Sequence, residues 1–397
     1  MPRNRSCRRP LVMAAWRLEA IRMRASWPVL LWIPLVSGCI PRGSARDITP
    51  NPAGVAHSAP FEGFRRGINL GNALDAPSEG AWGVTLDERH FEMAAAAGLD
   101  HVRLPVRFNA HAQASEPFTL DAAFLGRVDW ALDRATARGL SVIVDFHHYE
   151  ELMKDPAAHK ERFLGIWAQL AERYANRPPS VVFELLNEPN GNLNAAIVNE
   201  ISNKAITLIR AKNPTRRIIV DGYFWASADW LDELVLPEDD PNLIPTFHMY
   251  QPILFTHQGS PWMDPEYGTT GIVFPGPPAA PLTPVPAAQR VGWVNDWFTR
   301  YNTQPASQNP NGPAGVRAEF EKVDRYIQAT GRRVYMGEFG CIDNADQPSR
   351  ATYVRLIRRE AELRGIAWAY WDDGGSMKAM DVKTGSWVTY LQDALLR

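Results

Sequence analysis

The feature that most constrains the fold of this chain is a repeated alternation of short apolar runs and longer amphipathic stretches, which begins near residue 64. The apolar runs are rich in β-branched residues, which is typical of buried strands. Eight of them can be counted in the 397 residues, and we predict strands over 67–71, 101–106, 141–146, 181–186, 217–222, 243–249, 334–339 and 366–371.

Helical patterns separate the predicted strands. The first follows a capping-box pattern at Thr85 and Glu88 and ends at Gly98. Strands that alternate with helices form a parallel sheet, and eight such units close into a (β/α)8 TIM barrel, here an α/β single catalytic domain over 61–397. A doubly wound open sheet is the alternative, but no Gly-rich phosphate-binding turn follows the first strand.

One region interrupts the alternation. Residues 268–315 are dense in Pro, Gly, Ala and Asn, apart from the short segment WVNDWF at 293–298. Because this region follows the sixth predicted strand, we expect an elaborated loop on the face where the strands end, and not a second domain.

The first 60 residues have a different composition. Arginines precede a short apolar run at 27–36, and the run ends in LVSGC at Cys39, which resembles a bacterial lipoprotein signal. We therefore expect a signal segment at 1–39 with Cys39 lipidated, a flexible linker at 40–60, and export to the cell envelope or, alternatively, ordinary secretion. Cys341 is then the single mature thiol, expected to be inert packing.

Net charge narrows the class of partner. A formal charge of −2 with no basic stripe gives no case for nucleic acid, and fourteen Trp suit packing against neutral sugar rings as well as cores. We therefore expect a neutral partner, no required cofactor or metal, membrane contact only through the N-terminal lipid, and a monomer.

Polar side chains close most of the predicted strands, where barrel enzymes place their chemistry. Glu188 lies between Asn187 and Pro189, whose ring stiffens the turn, and Glu338 lies between two glycines. Two carboxylates across the mouth are what glycosidic cleavage requires. The strand-end residues are Asn69, Asn72, Arg103, His147, His148, Asn187, Glu188, His248, Tyr250, Glu338, Trp371 and Asp372.

At these positions the sequence resembles glycoside hydrolase family 5, over about residues 64–396. The matching stretches include NEP at 187–189, GEFG at 337–340, GINLGNALDAP, VRLPV, DFHHYEELM, FHMYQPILFTHQG and WAYWD. The stretch from FHHYEELMKDPAAHKERF through LLNEPNGNL especially resembles bacterial endo-β-1,4-glucanases of a subfamily that includes enzymes accepting mannan. Asp75 and Asp372 stand where this resemblance leads us to expect Glu, and the loop at 268–315 is longer.

The resemblance implies roles for these residues. Glu188 is the expected acid/base and Glu338 the nucleophile, with Arg103 orienting Glu338 and keeping it ionised. Asn187 is expected to contact the sugar 2-hydroxyl, Tyr250 to lie near the nucleophile, and His147 and His248 to complete the polar shell. The expected substrate-binding residues are Asn72, His148, His257, Trp262, Trp371 and Asp372.

The expected activity is retaining, endo-acting hydrolysis of a β-linked polysaccharide, with cellulose or β-glucan favoured and mannan, glucomannan or xyloglucan as alternatives. Opposite roles require that Glu188 hold its proton to higher pH than Glu338. Two other classes remain open. One is a non-catalytic glycan-binding barrel, and the other is a metal-dependent hydrolase using the histidines.

Overall fold

Eight parallel strands form a closed barrel in the computed structural model, which describes Phe61 and residues 63–397. The strands are β1 (Arg66–Asn69), β2 (His101–Val106), β3 (Ser141–Phe146), β4 (Val181–Glu184), β5 (Ile218–Asp221), β6 (Leu243–Met249), β7 (Tyr335–Phe339) and β8 (Ala367–Tyr370). Each strand pairs with the next in chain order, and β8 pairs with β1. The predicted (β/α)8 barrel is confirmed. The predicted signal segment with Cys39 and the linker at 40–60 lie outside the described residues.

Helices surround this ring. They are α1 (Glu88–Ala96), α2 (Ala122–Thr136), α3 (Glu150–Lys154), α4 (Pro156–Arg173), α5 (Ala195–Arg210), α6 (Tyr223–Ala226), α7 (Ile253–Thr256), α8 (Pro286–Gln289), α9 (Gly292–Thr303), α10 (Pro313–Thr330), α11 (Gln347–Leu363) and α12 (Thr389–Leu396). Short 3₁₀ helices cover Phe108–His111, Ala228–Glu233 and Pro265–Tyr267. A two-stranded antiparallel pair, β9 (Met380–Asp381) and β10 (Ser386–Trp387), follows β8.

The start of α1 differs from the sequence prediction. The N-cap is Asp87, whose carboxylate accepts the main-chain N–H of Arg89 at 2.9 Å, while His90 Nδ1 accepts the N–H of Asp87 at 3.1 Å. The predicted capping box at Thr85 and Glu88 is therefore wrong. Asp87 lies next to the free N–H groups of the first turn, and Glu88 instead pairs with arginines of α2 and the turn after it.

Alternation along each strand divides the apolar core in two. Residues such as Val142, Val144 and Val220 pack outward against the helices, while Ile143, Val182, Ile219 and Ile244 form a separate buried cluster inside the barrel. Phe61 and Phe64, which precede β1, belong to the inner cluster. The interior at that level is therefore filled with side chains, and the polar groups lie nearer the strand ends.

The insertion at 268–315 is more than the loop predicted from its composition, since it contains α8, α9 and the first residues of α10. α9 forms because Val294, Trp297, Phe298 and Tyr301 recur at helical spacing and are all buried. Its outer end is tied to the preceding chain, since Asn302 exchanges two hydrogen bonds with the main chain of Leu282, at 2.8 and 2.9 Å.

Two further features bear on the sequence predictions. No helix of the described chain combines the length and apolar character needed to cross a membrane. Cys341 is fully buried, and burial raises the pKa of its thiol above the ordinary value. A protonated, enclosed thiol is a poor nucleophile, which agrees with the expected packing role.

Candidate active site

Arg103 on β2 is the centre of a charged cluster inside the barrel, and it is fully buried. Its Nε and Nη2 donate to both oxygens of Glu184 on β4, at 2.8 and 2.6 Å. Its Nη1 donates to Oε1 of Glu338 on β7, at 2.7 Å. The planar guanidinium can serve several carboxylates at once because its N–H groups point in fixed, divergent directions. Its other partners are Asn69 Oδ1 at 3.0 Å, Asn187 Oδ1 at 2.7 Å and Asp145 Oδ2 at 3.0 Å.

Glu338 is held by a donor at each oxygen. Arg103 binds Oε1, and the Tyr250 hydroxyl, just after β6, donates to Oε2 at 2.9 Å. Gly337 leaves room for His248, because a Cβ at Gly337 would lie 2.7 Å from His248 Nε2. The contacts expected for Arg103 and Tyr250 are present, and they fix the orientation of this carboxylate before any ligand binds.

Glu188 lies in the turn after β4 with a left-handed backbone, φ +48°. Its main-chain N–H donates to Oδ1 of Asp221 on β5 at 3.1 Å, and its Oε1 lies 2.7 Å from His248 Nδ1. A left-handed glutamate is costly and persists only where its surroundings hold it. Asp221 holds the backbone of this residue, and His248 holds its side chain.

The two glutamates face each other across His248. Its Nδ1 is 2.7 Å from Glu188 Oε1 and 3.8 Å from Glu338 Oε2. One oxygen of each carboxyl and a His248 nitrogen all lie within 4.8 Å of one another. The site therefore offers two carboxyl groups at short range, one bound by two donors and the other by a single imidazole.

Burial raises the pKa of both carboxyls. For Glu188 the pKa rises to about 7, with burial the main cause, while the charge of Arg103 lowers it and that of Glu184 raises it. Burial also raises the pKa of Glu338, against the lowering influence of His248 and Arg103. Arg103 lowers the pKa of Glu338 and so favours its ionised form, as expected, but withdrawal from water has the larger effect and the net pKa is raised.

The histidines around the mouth are neutral near pH 7. Burial lowers the pKa of His248, His148 and His257 to about 4 and that of His147 well below its ordinary value. His147 Nδ1 lies 2.6 Å from Asp145 Oδ2, and the His147 ring stacks on Trp371 at 5.4 Å between centroids. Trp371 in turn requires Gly71, where a Cβ would lie 2.8 Å from the indole. These rings offer neutral polar edges and an apolar face, a combination suited to sugar hydroxyls and C–H groups.

Two predicted substrate-binding residues are engaged with the main chain. Asp372 is buried, and its oxygens accept the N–H groups of Gly374, Ala379 and Met380 at 2.8 to 2.9 Å. Asn72 donates to the carbonyl of Asp373 at 3.1 Å. Both residues therefore hold the segment after β8 in place, and their predicted contacts with substrate remain predictions.

The other predicted contacts lie at the rim. His148 lies 4.0 Å from Asp75 Oδ2 and meets the Trp82 ring edge-on at 5.5 Å between centroids. His257 lies edge-on to Tyr250 at 4.9 Å and to Trp262 at 6.3 Å, measured between ring centroids. Trp262 is 56% exposed. The structure thus connects the aromatic residues after β6 to Glu338 through Tyr250.

Three sets of side chains have ligand atoms close enough to consider a metal ion. Each set places its atoms within 4.8 Å of one another, and the sets are Asp75 with His147 and His148, Glu184 with Asp221 and His248, and Glu188 with His248 and Glu338. In the last set the Tyr250 hydroxyl and the Arg103 guanidinium donate to Glu338. That carboxylate is therefore already satisfied by N–H and O–H donors.

The sequence predictions did not include three buried carboxylates. Asp145, Glu184 and Asp221 lie inside β3, β4 and β5, each two residues after an inner-cluster residue on the same strand. A single acid inside an apolar strand is the signal that could have identified them, since such a group needs a charged or hydrogen-bonded partner. Also unpredicted were Phe224 and Trp225 of α6, which are 45% and 49% exposed. Both residues have a left-handed backbone. The main-chain N–H of Trp225 donates to the carbonyl of Pro189, the residue after Glu188, at 3.1 Å.

The chain is similar to known proteins in sequence and in fold. The family model "Cellulase (glycosyl hydrolase family 5)" matches residues 71–376. The chain is 33% identical to endoglucanase H of Acetivibrio thermocellus over 329 residues, which are 82% of this chain and 32% of that protein. The chain therefore spans only 32% of that relative's length.

Solved structures are similar over nearly their whole length. Endoglucanase Cel5A from the hyperthermophilic Thermotoga maritima superposes with a TM-score of 0.72 at 35% identity, covering 85% of this chain and 99% of that one. The cellulose synthase subunit Z of Clostridioides difficile gives 0.73 at 33% identity, covering 84% and 100%. Further structures of the Thermotoga enzyme contain mannotriose and cellobiose.

Proposed function

The chain belongs to the cellulase family, glycosyl hydrolase family 5, and from that membership we propose that it is a retaining, endo-acting β-1,4-glycan hydrolase. The preferred substrate in this proposal is cellulose or mixed-linkage β-glucan. Glu338 acts as the nucleophile and Glu188 as the acid/base.

The observation that carries the proposal is the short separation of the two glutamates. An oxygen of Glu188 and an oxygen of Glu338 lie within 4.8 Å of one another. Retaining glycosidases keep their carboxyl groups about 5 to 5.5 Å apart, whereas inverting enzymes need roughly 6.5 to 9.5 Å to admit a water molecule. The spacing therefore supports direct attack by a carboxylate.

In the first step, Glu338 attacks the anomeric carbon while Glu188 gives its proton to the leaving oxygen. The donors Arg103 and Tyr250 hold the attacking carboxylate in one orientation. Burial keeps Tyr250 protonated, because it raises the pKa of the phenol well above its ordinary value. The pKa of about 7 for Glu188 keeps that carboxyl protonated below neutrality, as a general acid requires.

In the second step, Glu188 removes a proton from water, which attacks the glycosyl-enzyme and releases Glu338. His248 suits both steps because it is neutral and lies 2.7 Å from Glu188. Its Nδ1 can accept a hydrogen bond from the protonated carboxyl or donate one to the carboxylate, depending on the tautomer. In this proposal Phe224 and Trp225, which are exposed and lie beside the turn of Glu188, contact the part of the polysaccharide that leaves in the first step.

Substrate choice rests on the similar proteins. Endoglucanase H is named for glucan cleavage, while the Thermotoga enzyme has been solved with both cellobiose and mannotriose. The last observation keeps mannan or glucomannan as the second candidate. Glucose and mannose differ at one hydroxyl, and a single buried polar contact such as Asn187 can decide between them.

The test is reducing-end release by the purified chain from carboxymethylcellulose, mixed-linkage β-glucan, xyloglucan and glucomannan. We expect Glu338→Gln to lose roughly 10⁴-fold or more in kcat, because an amide cannot form the covalent intermediate. Glu200→Gln is the matched control, since Glu200 lies exposed on α5. Early product, followed by proton NMR, should carry the β anomer.

Two results would overturn the proposal. Early α product would assign an inverting mechanism. Folded protein that binds these glycans and releases no reducing ends would assign the non-catalytic binding barrel instead.

A further inference from the structure

The insertion at 268–315 carries an exposed indole that the proposed mechanism does not use. Trp293 lies in the first turn of α9 and is 51% exposed. Trp297 and Tyr301 follow at intervals of four residues on the same side of the helix, and both are buried. Among the residues that the structure describes, the aromatic ring next to Trp293 is that of Tyr267, at 6.3 Å between centroids. The row of aromatic side chains thus runs from the core of the insertion to the surface and ends there.

The segment after β6 links Tyr267 to the aromatic residues of the mouth. Tyr267 lies on the same segment as His257 and Trp262, and the Tyr267 carbonyl accepts the N–H of Gly259 at 2.7 Å. Contacts from Glu338 lead to this segment through Tyr250, His257 and Trp262. Tyr267, the ring neighbour of Trp293, is therefore held by the same segment that carries the exposed indole Trp262.

The contacts of the insertion hold α9, the helix that carries Trp293, in place. Trp297 stacks on Tyr301 at 5.0 Å with an interplanar angle of 14°, and Tyr301 Oη accepts the N–H of Val273 at 2.9 Å. Asn309 donates to the carbonyls of Tyr301 and Gln304 at 2.9 and 3.0 Å, which closes the end of α9. A side chain that is already positioned loses little conformational entropy when a ligand binds.

The chemistry of the patch suits a sugar better than a protein. Trp293 is exposed and Tyr267 is partly buried, while the helical residues Asn295 and Asp296 next to Trp293 are exposed and polar. A stable protein interface buries about 800 Å² per partner around a fully desolvated centre, which one indole among polar groups does not provide. A pyranose ring needs one flat apolar face with hydrogen-bonding groups at its border.

We propose that Trp293 and Tyr267 form a distal glycan-binding platform, which extends the substrate cleft beyond Trp262 for long β-glycan chains. The proposal rests on the proposed function, because it concerns the same substrate. The proposal gives the insertion a role in substrate selection. Long polysaccharides reach the platform and gain an additional contact there, so they are favoured over short ones. Short substrates that occupy only the subsites next to Glu188 and Glu338 do not reach it.

The experiment compares Trp293→Ala with the unmodified full chain on an aryl β-cellobioside, on cellohexaose and on mixed-linkage β-glucan. We expect kcat/KM to fall roughly three- to tenfold on the polymer, in line with the loss of one aromatic stacking contact, and to stay unchanged on the aryl glycoside. Trp293→Tyr keeps an aromatic face and should retain most of the activity on the polymer. Val235→Ala truncates another exposed apolar residue, 63% exposed, and should change neither rate.

Binding is measured separately by calorimetry, with a long cello-oligosaccharide and the Glu338→Gln background, which removes turnover. Should Trp293→Ala fold poorly, as judged by its melting temperature, Trp293→Gln replaces it as a polar surface substitution. An equal effect on short and long substrates, or none, overturns the platform while the proposed function stands. No activity of the unmodified chain on any substrate would instead remove the proposed function. A dimer of the unmodified chain that Trp293→Ala dissociates would assign the patch to self-association.

Discussion

The inside of the barrel has two adjacent layers that the same strands supply in different ways. In the lower layer Ile143, Val182 and Ile219 are at most 1% exposed and belong to one apolar cluster. Two residues further along these strands, the upper layer holds Asp145, Glu184 and Asp221, which are equally buried. Two residues further along each strand, the interior of the barrel thus changes from apolar packing to buried acidic groups that need charged or hydrogen-bonding partners.

Asp145 and Glu184 of the upper layer depend on Arg103. Within the part of the chain that the structure describes, Arg103 is the single cation in direct contact with these two groups, and it also binds Glu338. A buried carboxylate without a cation or hydrogen-bond donors lowers the stability of the folded state strongly. When the neighbour of a buried apolar side chain is removed, only packing contacts are lost. In the lower layer, the loss of one side chain should affect only its packing neighbours. In the upper layer, the loss of Arg103 should affect several carboxylates at once. Three substitutions test this difference.

The largest effect should follow from Arg103→Met. The substitution keeps the size of the side chain but leaves three buried carboxylates without their cation, so we expect a loss of about 3 to 5 kcal/mol in the free energy of unfolding and loss of activity. Unfolding in urea measures the stability.

Arg350→Met is the matched control, because Arg350 is also buried and its hydrogen-bond acceptors, the Cys341 carbonyl and the Tyr390 hydroxyl among them, are neutral. Its loss should be smaller. Equal losses for the two variants would mean that the carboxylates of the upper layer do not depend on Arg103, which would break the comparison.

Ile219→Ala should have the next largest effect, and it should be confined to stability. Removing three carbons from the lower layer leaves a cavity, which costs about 2 to 4 kcal/mol. The pH dependence of kcat/KM should stay as in the unmodified chain, because Ile219 carries no charge. A displaced pH profile would show that the two layers are not separable.

Glu184→Gln should have the smallest effect, visible in the pH profile. Activity requires protonated Glu188 and should fall as pH rises through about 7. The charge of Glu184 raises that pKa, so its removal makes Glu188 easier to ionise and moves the basic limb to lower pH, by roughly half a unit to one unit.

The measurement for Glu184→Gln is kcat/KM between pH 4 and 9, with Glu360→Gln as control. Glu360 is also buried and paired with arginines, but it lies on α11. A basic limb that stays in place or moves to higher pH in Glu184→Gln would contradict the electrostatic coupling.

The sequence was informative about the barrel because its strands are fully buried runs that turns and helices bound sharply. Predicted and observed limits agree for β2, β3 and β6, and the other strands differ by one or two residues at one or both ends. The sequence analysis missed the helix start at Asp87 because Thr85, two residues earlier, is also of a residue type that favours the N-cap. α9 was missed because Pro and Gly around it mask a short helical period.

The site was predictable in part for a related reason. Residues at strand ends, such as Glu188 and His147, break an apolar pattern visibly. Glu184 and Asp221 lie within the predicted apolar runs. They can be identified only from the alternation along a strand, which turns their side chains toward the inside of the barrel. The left-handed turn at Phe224 and Trp225 follows from tertiary contacts with the Pro189 carbonyl, which no local sequence signal encodes.

The crowding of carboxyl groups around Arg103 has a consequence for heat measurements. Burial raises the pKa of Asp145 and Asp221 well above the ordinary value, so in the folded protein these groups hold their protons to higher pH than in an unfolded chain. Unfolding at a pH between the unfolded and the folded pKa values therefore delivers protons to the solvent. The calorimetric enthalpy of unfolding then includes the heat with which the buffer takes up those protons, and it differs between phosphate and Tris at the same pH.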